Sequence, residues 1–161
     1  MSRLDRFKAA QDSSRSGFQS ALGEIQAGAK RGHWIWYVFP QLAGLGSSPL
    51  SQSFAIDDEE EAAEYLQDAE LRSRLLTIAS AVAEQLRKGR TLRGLMSSEL
   101  DAQKVVSSLT LFGRVTRKLH EADGTNTYDS LAAIADEVLA AAASQGYPPC
   151  AYTLRRLERS D

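Results

Sequence analysis

Two stretches of this sequence hold side chains that could do chemistry. The first is GAKRGHWIWYVFPQLAGLGSSP, from Gly28 to Pro49. Lys30, Arg31 and His33 precede its aromatic run, and Gly44, Gly46, Ser47 and Ser48 follow it. Backbone N–H groups at a helix start, reached through a glycine loop with serine hydroxyls, can hold an anion. The same residues also make ordinary turns, and Gly44-x-Gly46 lacks both the preceding strand of a dinucleotide fingerprint and the lysine of a P-loop. Histidine is the side chain whose ordinary charge change falls nearest neutral pH. His33 could therefore act as acid, base or phosphate donor, or simply pack beside Trp34. Trp34 or Trp36 could stack on a base, and Gln41 could read polar edges.

The second stretch is a helix from Ser98 to Leu119. At about 100° per residue, Val105, Leu109, Phe112, Val115 and Leu119 define its inward arc, with Gln103, Thr110, Arg114 and Arg117 on the solvent side. Asp101, Lys104 and Ser108 fall within or beside the inward arc. Aspartate and lysine are rarely buried unless paired, and three residues apart on a helix they can meet. Two readings follow: an internal salt bridge that fixes helix packing, or the floor of a pocket facing the 28–49 segment. Metal ligation is not expected, since His33, His120 and Cys150 show no ligand spacing, and no G-x-S-x-G elbow offers a serine nucleophile. No cofactor is implied.

The elements that must position these residues read as helices. Leu4 and Phe7 open a short one that closes near Asp12. Phe18, Leu22 and Ile25 mark a second that stops at Gly28. Trp34–Phe39 contains both tryptophans, one of five tyrosines and one of five phenylalanines. It has strand propensity but no partner strand, so a buried, irregular or partly helical segment is expected. Ser47 or Ser48 caps a short helix with Pro49 in its first turn, and Asp57 or Asp58 starts the next. Leu71 to Leu86 define a longer helix ending near Gly89. The Ser98 helix breaks at Gly124, and Leu131 to Leu139 mark an alanine-rich helix. After Pro148-Pro149 comes a terminal turn with Leu154 and Leu157, where Cys150 reads as a small residue. The expected architecture is all-α: one compact orthogonal helical domain over residues 1–161, of six to seven helices around a buried aromatic segment.

Composition sets the bounds. The chain has 161 residues, 43% hydrophobic and 25% charged, with a net charge of −2, ordinary values for a globular protein. Its one cysteine excludes an internal disulfide framework and fits a reducing compartment. The N-terminus has no apolar signal core, and no run approaches a membrane span, so a soluble cytoplasmic protein is expected, with no membrane partner. Residues 57–70 hold eight acidic and no basic side chains, and 72–118 hold ten basic and three acidic. These blocks could face each other or coat two surfaces. Nucleic-acid binding is disfavoured, because 72–118 interleaves only Phe112 with its bases.

With these residues in view, the chain resembles the family known as domain of unknown function 1810, some of whose members carry a calpastatin label that nothing in this chemistry supports. The resemblance runs from Leu4-x-x-Phe7-x-x-Ala10-Gln11 through Ala21-Leu22-x-Glu24-Ile25-x-x-Gly28-x-Lys30. Its most specific block is His33-Trp34-x-Trp36-x-x-Phe39-Pro40-Gln41-x-x-Gly44-Leu45-Gly46-x-Ser48, and Asp101-x-x-Lys104-x-x-Ser107-Ser108-x-Thr110-Leu111-Phe112 follows. Departures are Ile35 for a usual methionine, Leu95-Met96 for an aromatic-glycine pair, and Pro149-Cys150 where an acidic residue is often found. The resemblance implies a mainly α-helical fold and brings no established activity. The leading expectation is a pocket between 28–49 and 98–119 for a small anionic, phosphate-bearing ligand, nucleotide-like or ADP-ribose-like. Lys30 and Ser47-Ser48 would hold phosphate, with His33 or Asp101–Lys104 for any hydrolytic or group-transfer step. The alternative is a non-enzymatic protein-interaction module with an unknown partner.

Overall fold

The computed structural model describes residues 2–159. Among them are ten helices and no strand. The all-α expectation therefore holds, but six to seven helices was too few. The three additional elements are short or terminal: α3 (Ile35–Val38), α7 (Leu92–Met96) and α10 (Ala151–Arg159). Periodicity needs several turns to declare itself, and α3 and α7 are hardly longer than one.

The other boundaries follow capping chemistry. α1 spans Asp5–Gln11, and α2, Phe18–Ala27, closes on Gly28 at φ 99°, where the missing Cβ permits the left-handed conformation. Ser48 caps α4 (Pro49–Ser53), Asp58 caps α5 (Glu59–Gln67) and Asp68 caps α6 (Ala69–Arg87), each accepting a first-turn N–H. Ser98 does the same for α8 (Glu99–Asp123), which Gly124 ends, and α9 runs Asp129–Ser144.

α8 is the central post. It packs against α3, α5, α7, α9 and α10, and it is buried at twelve positions between Ala102 and Thr116. Phe112 meets Tyr65 of α5 at 4.9 Å between ring centroids, and Tyr65 meets Phe7 of α1 edge-on at 5.3 Å. Of the aromatic run, all but Trp36 is buried. One turn of helix lets these side chains radiate in several directions, which a strand buried on one face could not do. Thr110, assigned above to the solvent side, is in fact buried, because α10 folds back over that face of α8.

The acidic block is matched mainly by α1 and the residues before it. Arg3 bonds Glu64, Arg6 bonds the fully buried Glu61, and Lys8 pairs with Asp68 at 2.6 Å. From the basic 72–118 stretch, Arg74 pairs with Glu70 and Lys118 with Glu59, and Arg72 donates to the Leu66 carbonyl.

After Pro40 the chain is pinned by an isolated parallel bridge between Leu42 and Ile56. Ile56 N–H donates to the Gln41 carbonyl and Ala43 N–H to the Ile56 carbonyl, both at 2.9 Å. Tyr152 and Arg156 of α10 donate to the Ala43 carbonyl at 2.8 and 3.0 Å. The next residue, Gly44, sits at φ 101°, and a Cβ there would overlap the Tyr152 hydroxyl. Gly44→Ala is therefore expected to cost about 2 kcal/mol, read as a lower urea midpoint at unchanged m-value.

Candidate functional site

The site begins where α2 gives way to the aromatic segment. Both backbone groups of Lys30 are fixed by the turn before α8: its N–H donates to the Leu95 carbonyl at 2.8 Å, and its carbonyl accepts from Ser97 Oγ at 2.7 Å. Ser97 itself holds φ 65°, the one non-glycine residue in the left-handed region among the described residues. Such a conformation persists when neighbours over-determine it. Here the carbonyl of Lys30 is one such constraint.

Lys30 is only 7% exposed. Its Nζ lies 2.9 Å from Asp101 Oδ2 and 5.1 Å from the Trp34 ring centroid, and it donates to the Gly32 carbonyl. Lys104 Nζ lies 3.5 Å from the other oxygen of Asp101 and 5.2 Å from the Trp36 ring. Two ammonium groups on two indole faces thus share one carboxylate. Lys30 is enclosed by its partners, whereas Lys104 has a long ion pair and keeps 22% of its side chain exposed. Of the two, Lys104 has capacity for a further acceptor.

Lys104 lines a narrow recess of about 10 Å³ together with Trp36, Gln41, Ser51 and the rings of Phe39 and Phe54. Through Gln41 and Ser51 it adjoins an open cleft of about 120 Å³ that Gly44 and Gly46 also line. The indole N–H of Trp36 is buried and has no hydrogen-bond partner among the described residues, and the same is true of the Ser108 hydroxyl, one turn beyond Lys104. Unpaired buried donors are rare.

The structure therefore gathers Lys30, Trp34, Trp36, Gln41, Asp101 and Lys104, with Gly44 and Gly46 on the adjoining cleft. Ser108 lies on the same α8 stripe. It does not bring His33, Ser47 and Ser48 into that group. His33 is exposed on the loop before α3. The Ser48 hydroxyl caps α4 and contacts Ser51 Oγ at 2.9 Å, and Ser47 uses its carbonyl on Gln52.

Glu24 escaped the sequence reading. Its Oε1 accepts from Arg31 N–H, Gly32 N–H and Trp34 Nε1 at 2.7, 2.8 and 2.9 Å, and so holds the turn that presents Lys30. A signal existed: a glutamate in the last turn of a helix opposes the macrodipole and asks for another reason. Burial pushes its carboxyl up, but those N–H donors and the Lys30 charge more than offset this and hold it below its ordinary value. A depressed carboxyl contributes stability above its unfolded value, and that stability is lost as pH falls through the folded value. Thermal unfolding should show a midpoint that declines as pH descends below about 4.5, and Glu24→Gln should flatten that decline.

Fold and site together define an all-α protein in which an aromatic turn is locked to a central helix by a lysine–aspartate–lysine cluster. The chain belongs to the family described as protein of unknown function (DUF1810), which matches residues 1–129. It is similar to a solved structure, the conserved hypothetical protein Rv1873 from Mycobacterium tuberculosis. That likeness has 35% identity and a TM-score of 0.74 over 94% of each chain. No curated protein matches it. None of the described helices is long and apolar enough to cross a membrane.

Proposed function

We propose that the chain binds a small phosphate-bearing anion at the cleft formed by Trp36, Gln41 and Lys104. The supporting observation is the buried, partnerless indole N–H of Trp36 beside an ammonium that shares its one carboxylate with a second lysine. An unmade buried hydrogen bond costs about 1–3 kcal/mol, so an acceptor seated there recovers that energy and completes the pairing of Lys104. The cavities of about 10 and 120 Å³ fall below the roughly 300 Å³ of a complete small-molecule pocket. The inner recess holds no more than about one water, so a terminal phosphate would sit at its mouth in the 120 Å³ cleft beside Gln41 and Ser51, with the remainder of a nucleotide-like or ADP-ribose-like ligand lying outside across Gly44 and Gly46. Any hydrolytic or group-transfer step would draw its acid–base group from Lys104, which lines the inner recess, or from its ion-pair partner Asp101; Asp57 lines the adjoining cleft.

A thermal-shift series with inorganic phosphate, AMP, ADP and ADP-ribose tests this reading. Ligand at 100 times its dissociation constant stabilises by about 2.7 kcal/mol, an upward shift of several degrees. Lys104→Met keeps the aliphatic stem on Trp36 and should abolish the shift with little change in the unliganded midpoint. A flat response across the series would contradict the proposal.

A further inference from the structure

A second depression, of about 310 Å³, shares no lining residue with the Lys104 cavity. Leu45, Val106, Tyr147 and Pro148 supply apolar walls, Gln103 and Ser107 supply polar edges, and Cys150 opens into it. None of its lining residues carries a formal charge, and the other titratable group is the Tyr147 phenol.

The backbone fixes where this cysteine stands. Cys150 N–H donates to Thr110 Oγ1 at 3.1 Å, and that hydroxyl donates to the Val106 carbonyl of α8 at 2.7 Å. The Cys150 carbonyl accepts the first bond of α10, from Leu154 N–H at 3.1 Å. Cys150 is thus the residue from which a nine-residue helix starts, more than the small turn residue the sequence suggests. The N–H groups of Tyr152 and Thr153, the second and third residues of α10, have no acceptor within their own helix and stand where a cap residue's side chain can accept from them.

Thr153 supplies a second indication. It is fully buried, its hydroxyl has no hydrogen-bond partner among the described residues, and it is the third residue of the helix that Cys150 starts, the position that lies against a cap residue's side chain. A neutral thiol is a weak acceptor, while a thiolate would satisfy this hydroxyl and the two N–H groups together. Burial alone would push the Cys150 thiol up, but the Thr153 hydroxyl and the Thr153 and Tyr152 N–H groups hold it below its ordinary value, while the Ser107 hydroxyl gives its one proton to the Gln103 carbonyl at 3.0 Å. A half-buried thiol on a helix N-terminus, open to a groove, combines activation with access.

We propose that Cys150 is a reactive thiolate whose groove receives a small uncharged disulfide and exchanges with it to form a mixed disulfide. The uncharged class follows from the lining, which offers apolar walls and amide and hydroxyl edges but no ion. In the exchange, the Cys150 sulfur forms a new S–S bond to one sulfur of the disulfide. The bond between the two original sulfurs breaks, and the other half leaves as a thiolate that takes its proton from water.

The test uses the native whole chain and excess 4,4′-dithiodipyridine. With one cysteine in the sequence, released thiopyridone counts Cys150 alone. The rate should rise with pH about a midpoint below the roughly 8.5 of a free cysteine, and it should saturate with probe concentration. Thr153→Val should raise the midpoint and slow exchange at pH 7 several-fold, and Thr153→Ser should restore both. The urea-unfolded wild type is the reference and should show an ordinary midpoint without saturation, a comparison that decides the matter even if Thr153→Val folds poorly. Exchange seen only after unfolding, a native midpoint equal to the unfolded one, or a rate linear in probe would each overturn the proposal.

Discussion

Asp101→Ala should lower the stability of the protein by about 3–5 kcal/mol, the cost of leaving a buried charge without its counter-ion. Asp101 is the hinge of the cluster, with Lys30 at 2.9 Å on one oxygen and Lys104 at 3.5 Å on the other. Lys104 can turn to water, since its side chain is 22% exposed. Lys30 is 7% exposed, and its backbone is held by Leu95 and Ser97. Once Asp101 is gone, the Lys30 ammonium keeps the Gly32 carbonyl and the Trp34 face, with the Glu24 carboxylate nearby but not in direct ion-pair contact. Lys30→Met should cost much less, because Asp101 retains Lys104 and the methionine keeps the apolar stem on Trp34. This asymmetry is the diagnostic, and urea titrations of the two variants at neutral pH would display it. Equal losses would mean that the stem of Lys30, rather than its charge, carries the contact.

Trp34→Ala should be comparably severe, at about 3–5 kcal/mol. Trp34 is fully buried against Phe39 at 6.4 Å and under Lys30. Its removal opens a cavity at the junction of α2, α3 and α8, and withdraws one of the three donors on Glu24. A domain's net stability is about 5–15 kcal/mol, so this variant should stand at the edge of folding. Trp34→Phe separates the two contributions: it fills most of the volume but leaves Glu24 without the indole N–H, and should cost about half as much. Chemical denaturation of both variants, with the Trp36 emission as probe, checks the order.

Much of the fold was legible because its signals are local. Gly28, Ser48, Asp58, Ser98 and Gly124 act where their types say they should, and the long helices declare themselves by period. The failures concern what folds over what. Thr110 points away from the Val105–Phe112 arc and reads as solvent-facing, yet α10 returns across that face and uses it to anchor Cys150. α10 was reduced to a turn because Leu154 and Leu157 give too short a pattern. At the site, the Asp101–Lys104 pair could be read from spacing alone. The arrival of Lys30 on the same carboxylate could not, since it depends on how the turn after α2 docks on Leu95 and Ser97. Glu24 gave only the weak signal of an acid in a helix's last turn, because its partners, two backbone N–H groups and the Trp34 indole, belong to a turn that only the tertiary fold creates.

The most direct measurement of the phosphate proposal follows the two indole N–H resonances in a nitrogen-15 labelled sample as inorganic phosphate is added. Trp34 Nε1 is already committed to Glu24 at 2.9 Å, while Trp36 Nε1 has no partner among the described residues. The proposal requires the Trp36 signal to move downfield in a saturable way, the Trp34 signal to stay nearly fixed, and Lys104→Met to abolish the movement. A Trp36 resonance that ignores phosphate in the wild type would contradict it and leave the lysine–aspartate–lysine cluster as a device for packing alone.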